Sequence, residues 1–377
     1  MAGRTDVRGD VDMRVRRVTR LIIGMSLAFA PVSIAAAQET GPPAVDQTLA
    51  PYASTRDSVR LPGGRTIHLV CMGQGRPVVI LTAGAGGWSI AWNKVQPGVA
   101  AVTRVCAWDR AGFAFSSPSP KPPTSDNDAS DLQAALKAGG VTGPYVVVGH
   151  SSGAYESVLL ADRQPSRVVG MVLVDPAIPD QAAIRDRVTP AMAAMMRAQP
   201  DMFGAFLRKC AAALRAGTLR YSGPDPDRCL HPQWPPSYPP ELVAALDKRV
   251  AETAPETTAA GLETMATSAS AAVTDLDSRI VIKPDRNYGS MPLIVLTAGE
   301  TGSPPDPPAA LKAEIPLQQA AWRDAHEAYA KLSTRGVDRV VAGSTHDIPQ
   351  LKPQVVIDAI DEVVGEVRAS GRTKAVH

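Results

Sequence analysis

The residues best suited to chemistry in this chain form the pentapeptide Gly149-His150-Ser151-Ser152-Gly153. It follows an apolar run, residues 145–148, with the composition of a buried strand, and it precedes a helix-compatible run, residues 154–164. In a strand–turn–helix unit with the pattern G-x-S-x-G, the sharp turn holds the serine in a strained conformation, and glycines on both sides avoid the crowding of a Cβ. The pattern therefore predicts that the Ser151 hydroxyl stands clear of a sheet, where an acyl carbonyl can reach it.

A serine hydroxyl needs a base to take its proton, and histidine is the usual one. Of the six histidines, only His346 follows a strand-like segment (residues 338–341) and precedes a helix-like one, which puts it on a loop at the carboxyl edge of the sheet. The other five have less suitable positions: His68 in a strand, His150 in the pentapeptide and expected to point away from the serine, His231 in a helix-rich insertion, His326 in a helix and His377 at the end of the sequence. We therefore predict that His346 is the base.

The base in turn needs a carboxylate that fixes its tautomer and stabilises its cation. Asp175 ends the strand-like segment 168–174, Glu300 follows the segment 292–297, and Asp306 lies further along the same loop. All three keep the chain order serine, acid, histidine, and all three lie at the carboxyl edge of the sheet. Asp175 is preferred, with Glu300 as the alternative and Asp306 third, because the loop of the latter two is rich in glycine and proline.

Two backbone N–H groups are needed to bind the oxygen that becomes negative in acyl transfer. Ser152, directly after the nucleophile, is expected to supply one. The glycine-rich turn, residues 83–88, follows an inner strand, and Ala85 is expected to supply the other. Trp88 at the end of this turn is a candidate for substrate binding.

The order of the elements predicts an α/β fold with a mostly parallel sheet and helices on both faces. Strand-like segments alternate with helix-like ones over most of the chain. The strand-like segments are residues 66–71, 77–82, 104–108, 145–148, 168–174, 292–297 and 338–341, and the helix-like ones are residues 128–138, 154–164, 317–332 and 353–367.

One segment breaks the alternation. Residues 177–290 have helix-forming stretches without a convincing strand, and a proline-rich region, 224–240, lies among them. This pattern predicts a helical cap inserted between two parts of a sheet-containing core, residues 58–176 and 291–368, with a short C-terminal tail at 369–377. The large apolar side chains of the cap are expected to serve in packing, with an apolar substrate pocket as the alternative: Met192, Met195, Met196, Met202, Phe203 and Phe206.

The N-terminal segment has the pattern of an export signal. Basic residues precede an apolar stretch, 21–35, and an A-x-A sequence at 35–37 offers a cleavage site. We therefore interpret residues 1–37 as a cleaved signal peptide and residues 38–57, rich in proline and polar side chains, as a flexible leader. The net charge of +2 and the absence of a basic stripe make nucleic acid an unlikely partner class, and no later run is long enough for a stable membrane span.

The four cysteines indicate disulfides, because an even number is typical of exported chains with paired thiols. The proposed pairs are Cys71 with Cys106 and Cys210 with Cys229. Buried free thiols are the alternative.

Four stretches together resemble the α/β-hydrolase superfamily over residues 60–368. These are residues 81–87 (LTAGAGG), residues 108–116 (WDRAGFAFS), the Ser151 pentapeptide, and residues 343–346 (GSTH). The sequence departs from the family pattern at Ala83, where histidine is frequent, and at Ala114, where a glycine is usual. The resemblance implies that the strands with Cys71 and Cys106 are neighbours, and it implies that the acid follows either of two successive strands.

These features lead to a functional hypothesis: an exported serine hydrolase that cleaves a carboxylic ester, lactone or related small acyl compound through an acyl-enzyme. The alternatives are an acyltransferase on the same fold and a non-catalytic binding protein that uses the fold as a scaffold. No cofactor is expected for this chemistry, and no cluster in the sequence has metal-ligand spacing. Acyl length, the alcohol portion and the oligomeric state are left open by the sequence.

Overall fold

The structure, a computed structural model, describes residues 44–198, 201–274, 283–302 and 306–374. Eight strands form one sheet in the order β1-β2-β4-β3-β5-β6-β7-β8. The strands are β1 (Ser58–Arg60), β2 (Thr66–Met72), β3 (Val78–Thr82), β4 (Val105–Trp108), β5 (Tyr145–His150), β6 (Val168–Val174), β7 (Leu293–Ala298) and β8 (Gly336–Val341). The pairs β1–β2 and β2–β4 are antiparallel, and every other neighbouring pair is parallel.

Helices cover both faces of this sheet and form the cap. The α-helices are α1 (Gln96–Ala100), α2 (Ser125–Ala138), α3 (Gly153–Arg163), α4 (Gln181–Val188), α5 (Pro190–Ala198), α6 (Met202–Arg215), α7 (Pro240–Glu252), α8 (Pro255–Thr274), α9 (Ala309–Ala330), α10 (Ile348–Leu351) and α11 (Pro353–Lys374). The sequence-based expectation of an α/β fold with a mostly parallel sheet is confirmed. The prediction missed β1, which has only three residues and therefore no readable alternation.

Two apolar layers, one on each face of the sheet, hold the core together. Strands β3 and β5 are buried along nearly their whole length because their valine, isoleucine and leucine side chains meet helices on both faces. One layer joins the sheet to α2, α3 and α9, and the other joins it to α1 and α11. The loops at the carboxyl edge of the sheet extend from this packed core.

The cap contains α4 to α8 and, among the described residues of 177–290, no strand. Its helices α6 and α8 pack together, and Arg215 of α6 forms ion pairs with Glu256 and Glu263 of α8. The expectation that the large apolar side chains serve mainly in packing is wrong for four of them, because they are at least one-third exposed: Met195, Met202, Phe203 and Phe206. They lie on helix faces that the core does not cover.

Both proposed disulfides are present. Cys71 and Cys106 face each other across the antiparallel pair β2–β4, with Cα atoms 4.0 Å apart. Cys210 of α6 is bonded to Cys229, which follows in the cap loop. The first bond ties β2, the neighbour of edge strand β1, to β4, and the second ties the proline-rich loop to the cap.

The second part of the predicted flexible leader is packed against the protein. Residues Gln47–Ala53 form a 3₁₀ helix, and its Leu49 and Tyr52 are buried. The Tyr52 hydroxyl donates to Gln96 Oε1, and the Asp46 N–H donates to the carbonyl of Ser237 in the cap. Composition alone missed this contact, because two apolar side chains are enough to anchor a polar segment.

The predicted signal peptide, residues 1–37, lies outside the described residues, as does the start of the leader. Within the part of the chain that is described, no helix is both long enough and apolar enough to cross a bilayer.

Candidate active site

The turn after β5 holds Ser151 in a left-handed conformation, with φ of 52°. This conformation is costly for a residue with a side chain, so the surrounding structure must enforce it. A Cβ at Gly149 would lie 2.3 Å from the Gly153 carbonyl oxygen, and a Cβ at Gly153 would lie 2.4 Å from the Thr82 carbonyl oxygen. Both glycines of the pattern are therefore required by the close approach of backbone to backbone.

Three side chains from separate strand ends meet at this turn. His346, on the loop after β8, has Nε2 2.9 Å from Ser151 Oγ. Its Nδ1 is 2.5 Å from Oδ2 of Asp175, which directly follows β6. Asp175 also has a positive φ, 39°, and its Oδ1 accepts a hydrogen bond of 2.8 Å from the Ala298 N–H. Two separate hydrogen bonds thus fix the carboxylate that faces the imidazole.

The surroundings of Asp175 favour its ionised form. Burial alone would raise the pKa of this carboxyl, which is only 6% exposed. The hydrogen bond and charge of His346, together with the Ala298 N–H, outweigh burial and lower the pKa below its usual value. The carboxylate is therefore available as a negative partner for an imidazolium.

The other two candidate acids do not reach the imidazole. The Glu300 N–H donates to the Ser344 carbonyl, but no hydrogen bond joins the Glu300 side chain to His346. Asp306 is exposed. Both follow β7, whereas Asp175 follows β6 and turns toward His346.

The remaining described histidines are engaged elsewhere, with one exception. His68 is buried against Asp109, His326 lies between Thr297 and the Pro176 carbonyl, and His231 is bonded to Asp225. His377 lies outside the described residues.

The expectation that His150 points away from the serine's surroundings is wrong. Its ring lies 4.8 Å from the His346 ring, and its Nε2 is 2.9 Å from the His346 carbonyl oxygen. Burial and the neighbouring His346 lower the pKa of His150 to about 4. A neutral His150 can donate from Nε2 to that carbonyl and so steady the loop that carries His346.

The glycine-rich turn (residues 83–88) lies directly over the serine. A Cβ at Gly84 would be 3.0 Å from the Ser151 Cβ, so a larger residue would crowd Ser151. In the part of the chain that the structure describes, neither the Ala85 N–H nor the Ser152 N–H donates a hydrogen bond. Both amides predicted to bind the oxyanion are therefore free of intramolecular partners.

Arg110 holds this turn in position. Its guanidinium donates to the carbonyls of Ala83 and Gly84, at 2.7 and 3.0 Å, and to Glu156 Oε1 at 2.7 Å. Arg110 and Glu156 are 7% and 2% exposed, so this is a buried ion pair. In the sequence-based prediction Arg110 was only part of a family motif, and Glu156 was missed. The signal for Glu156 was an acid in the apolar first half of the helix just after Ser151.

One cavity is lined in part by Ser151, and a second is lined in part by the glycine-rich turn. The polar cavity, about 300 Å³, is lined by Ser151, His346, Glu300 and Gln318 among others. The Oε1 atom of Gln318 is buried there without a hydrogen-bond partner. The apolar cavity, about 420 Å³, lies under the cap and is lined by Gly86 and Trp88 of the turn and by residues of α6, α7 and α8.

Trp88, predicted to contact substrate, is one wall of the apolar cavity and packs edge-on against Phe115 at 6.2 Å. The exposed Phe203 and Phe206 of α6 line the same space.

The comparisons agree with this fold. Residues 78–359 match the model of the alpha/beta hydrolase family. The chain belongs to that family.

Similarity to individual proteins is more limited. The chain is 34% identical over 105 residues to "Uncharacterized protein YqjL" of Bacillus subtilis, and 33% identical over 102 residues to "Putative carbamate hydrolase RutD" of Klebsiella pneumoniae. These matches cover 28% and 27% of this chain and 42% and 38% of the relatives, so it spans less than half the length of either. A solved "Putative Acyltransferase from Salmonella enterica" has a TM-score of 0.53 and 20% identity over 82% of this chain and 94% of its own, a likeness of fold alone.

Proposed function

We propose that this protein is a serine hydrolase that cleaves a carboxylic ester or a related small acyl compound. The observation that carries the proposal is the continuous pair of contacts from Ser151 Oγ to His346 Nε2, at 2.9 Å, and from His346 Nδ1 to Asp175 Oδ2, at 2.5 Å. Such a chain of contacts lets the imidazole accept the serine proton while the carboxylate stabilises the resulting cation.

The reaction then runs in two steps. Ser151 Oγ attacks the acyl carbonyl as His346 takes its proton, and the Ala85 and Ser152 N–H groups donate to the oxyanion. His346 passes the proton to the leaving group, which departs and leaves an acyl-enzyme. Water, deprotonated by His346, attacks the acyl-enzyme and releases the acid and the free serine.

The two cavities suggest which part of the substrate lies where. The leaving group receives its proton from His346, so it must lie beside that residue, and His346 lines the polar cavity. The acyl group then extends in the other direction, past the glycine-rich turn. Gly86 and Trp88 of that turn open onto the apolar cavity, which suits a hydrocarbon chain.

Hydrolysis is favoured over acyl transfer by the exposure of the base. The His346 side chain is 57% exposed, so water has access to the position from which it attacks the acyl-enzyme. Adding acceptor alcohols and measuring how the acyl group partitions between acid and new ester separates the two reactions.

Labelling with a fluorophosphonate tests the proposal. We expect stoichiometric labelling at Ser151, none in Ser151→Ala, and slow labelling in His346→Ala because the hydroxyl then lacks its base. The neighbouring Ser152→Ala is the matched control, because it removes a hydroxyl and keeps the amide. A folded wild-type protein that is never labelled, and that cleaves no p-nitrophenyl ester of any chain length, would refute the proposal.

Export belongs to the same proposal. Two disulfides are compatible with an oxidising compartment, and residues 1–37 have the pattern of a cleaved signal. N-terminal sequencing of the protein from a fractionated bacterial host should find Gln38 as the first residue in the exported fraction. Retention of residues 1–37 in a cytoplasmic fraction would count against export.

A further inference from the structure

The apolar cavity has an unusual pattern of charge. Most of its lining is hydrocarbon or aromatic, and no described aspartate or glutamate lines it. Its charged lining residues, within the described ranges, are two arginines: Arg249 of α7 and Arg228 of the cap loop. A pocket that accepted only an apolar chain would gain nothing from a cation in its wall, because burying a charge without a partner is costly.

Arg249 is the more deeply placed of the two. Its guanidinium donates one hydrogen bond, of 2.7 Å, to Thr253 Oγ1 one turn further along the same helix. No described carboxylate forms an ion pair with it, although a guanidinium has five N–H donors. Partial burial without a compensating anion lowers the pKa of Arg249.

Four carboxylates of α7 and α8 have partners other than Arg249. Asp247 accepts a hydrogen bond from Trp234 Nε1, and Glu252 pairs with Lys248. Glu256 and Glu263 of α8 both bind Arg215. Among the described residues Arg249 therefore has no ion-pair partner, and it lines the space that the proposed function assigns to the acyl group.

We propose that Arg249 binds an anionic group at the far end of the acyl chain, so that the preferred substrate is an acyl compound in which an apolar chain ends in a carboxylate. The inference rests on the proposed function for the position of the scissile bond. A guanidinium can bind a carboxylate through two parallel hydrogen bonds, which gives both affinity and register. Arg228, exposed at the cavity and bonded to Gln233 Oε1, adds positive potential where the anion enters.

Two esters that differ only in the terminal charge give the direct test. One is the p-nitrophenyl monoester of octanedioic acid, and the other is the same molecule with its free carboxylate capped as a methyl ester. For the wild type we expect kcat/KM to be about 10- to 100-fold higher for the charged ester, as for a charge-assisted contact made in a partly dehydrated site.

Variants then assign the preference to one residue. Arg249→Met should bring the ratio of kcat/KM for the charged ester to kcat/KM for the capped ester to about one. Arg249→Lys should keep part of the preference because the charge remains but the fork is lost. Arg220→Met is the matched control, because Arg220 is an exposed cap arginine outside the cavity. Thermal melts of each variant show whether it is folded, and the comparison of the two esters on the wild type does not depend on any variant.

A binding measurement separates this inference from the proposed function. The Ser151→Ala protein is titrated calorimetrically with monomethyl octanedioate, with and without Arg249→Lys. Weaker binding in the lysine variant would support the arginine site even if the wild type cleaved no ester. A lack of ester cleavage would refute the proposed function alone. Equal turnover of the two esters by the wild type, or a preference that persists in Arg249→Met, would overturn the inference and leave the hydrolase proposal intact.

Discussion

Replacing Asp175 by asparagine is the sharpest test of the proposed mechanism, because it changes one atom and keeps the volume. In the wild type, Oδ1 accepts from the Ala298 N–H and Oδ2 faces His346 Nδ1. An asparagine can keep the first contact only by presenting its carbonyl oxygen to Ala298. Its NH₂ group then faces Nδ1, which must accept, and the proton of the neutral ring moves to Nε2.

That tautomer cannot take a proton from Ser151, because Nε2 already carries one. The expected loss in kcat is about 10⁴-fold, the size found for the same exchange in a serine triad, which corresponds to about 5.4 kcal/mol. The effect on stability should be small, because the asparagine keeps both hydrogen bonds of the buried side chain when its oxygen faces the Ala298 N–H and its NH₂ group faces His346. The free energy of unfolding should therefore change by about 1 kcal/mol or less.

The assay compares kcat on a p-nitrophenyl ester for Asp175→Asn, Glu300→Gln and Asp306→Asn, with folding followed by circular dichroism. We expect the last two to keep kcat within about threefold of wild type, because neither carboxylate contacts the imidazole. A collapse in Glu300→Gln with near-normal turnover in Asp175→Asn would mean that the acid is assigned wrongly. Loss of structure in Asp175→Asn would refute the stability argument.

Three further predictions concern residues around the site. Arg110→Met should lower the free energy of unfolding by about 3–5 kcal/mol, because it leaves Glu156 buried without its cation. It should also lower kcat by up to about 10²-fold, because the glycine-rich turn loses its anchor. The double variant Arg110→Met/Glu156→Leu should regain stability but not kcat, and a regained kcat would exclude the anchoring role. His150 has a pKa of about 4 in the folded protein and about 6.5 when unfolded, so the unfolded chain binds the proton more readily. The contribution of this residue to stability should therefore be full above pH 6.5 and fall toward pH 4, by at most about 3 kcal/mol. Urea unfolding at pH 7.5 and 4.5 should show a smaller fall in the free energy of unfolding for His150→Asn than for the wild type. Cys210→Ala/Cys229→Ala opens a loop with a sequence separation of 19 and should lower the free energy of unfolding by about 3 kcal/mol. Reductant, which can also open Cys71–Cys106, should lower that of the wild type by at least as much, and no loss in the variant would contradict the estimate.

The strands and helices, and the residues that directly follow a strand, could be predicted from the sequence. The alternation of valine-rich runs and helix-like runs predicted the sheet. The glycines around Ser151 marked the turn, because a Cβ at Gly149 or Gly153 would lie only 2.3 or 2.4 Å from a carbonyl oxygen. His346 followed from its place after a strand. These inferences depend on short stretches of chain, where composition and conformation are closely linked.

The choice of Asp175 as the proposed acid and the surroundings of His346 depend on contacts that local patterns do not encode. Strands β6 and β7 end at the same edge of the sheet, so the sequence allowed either Asp175 or Glu300 as the acid. The positive φ of Asp175 turns its side chain toward the Ala298 N–H and His346. His150 was misjudged because strand alternation does not continue through the strained turn. The arginine–glutamate pair beneath the glycine-rich turn joins residues 46 positions apart, beyond the reach of any window used to read elements.

The packed segment at residues 46–53 has a practical consequence for anyone who trims this chain. Leu49 lies in one apolar cluster with Leu242 and Leu246 of α7, the helix that also carries Arg249. A truncation that starts at Ser58, which a reading of composition would recommend as a clean boundary, would strip the cover from that helix and loosen the floor of the pocket. We expect such shortened proteins to keep their turnover of short esters and to lose their selectivity among long-chain esters. Selectivity measured on them would then reflect the truncation rather than the full protein.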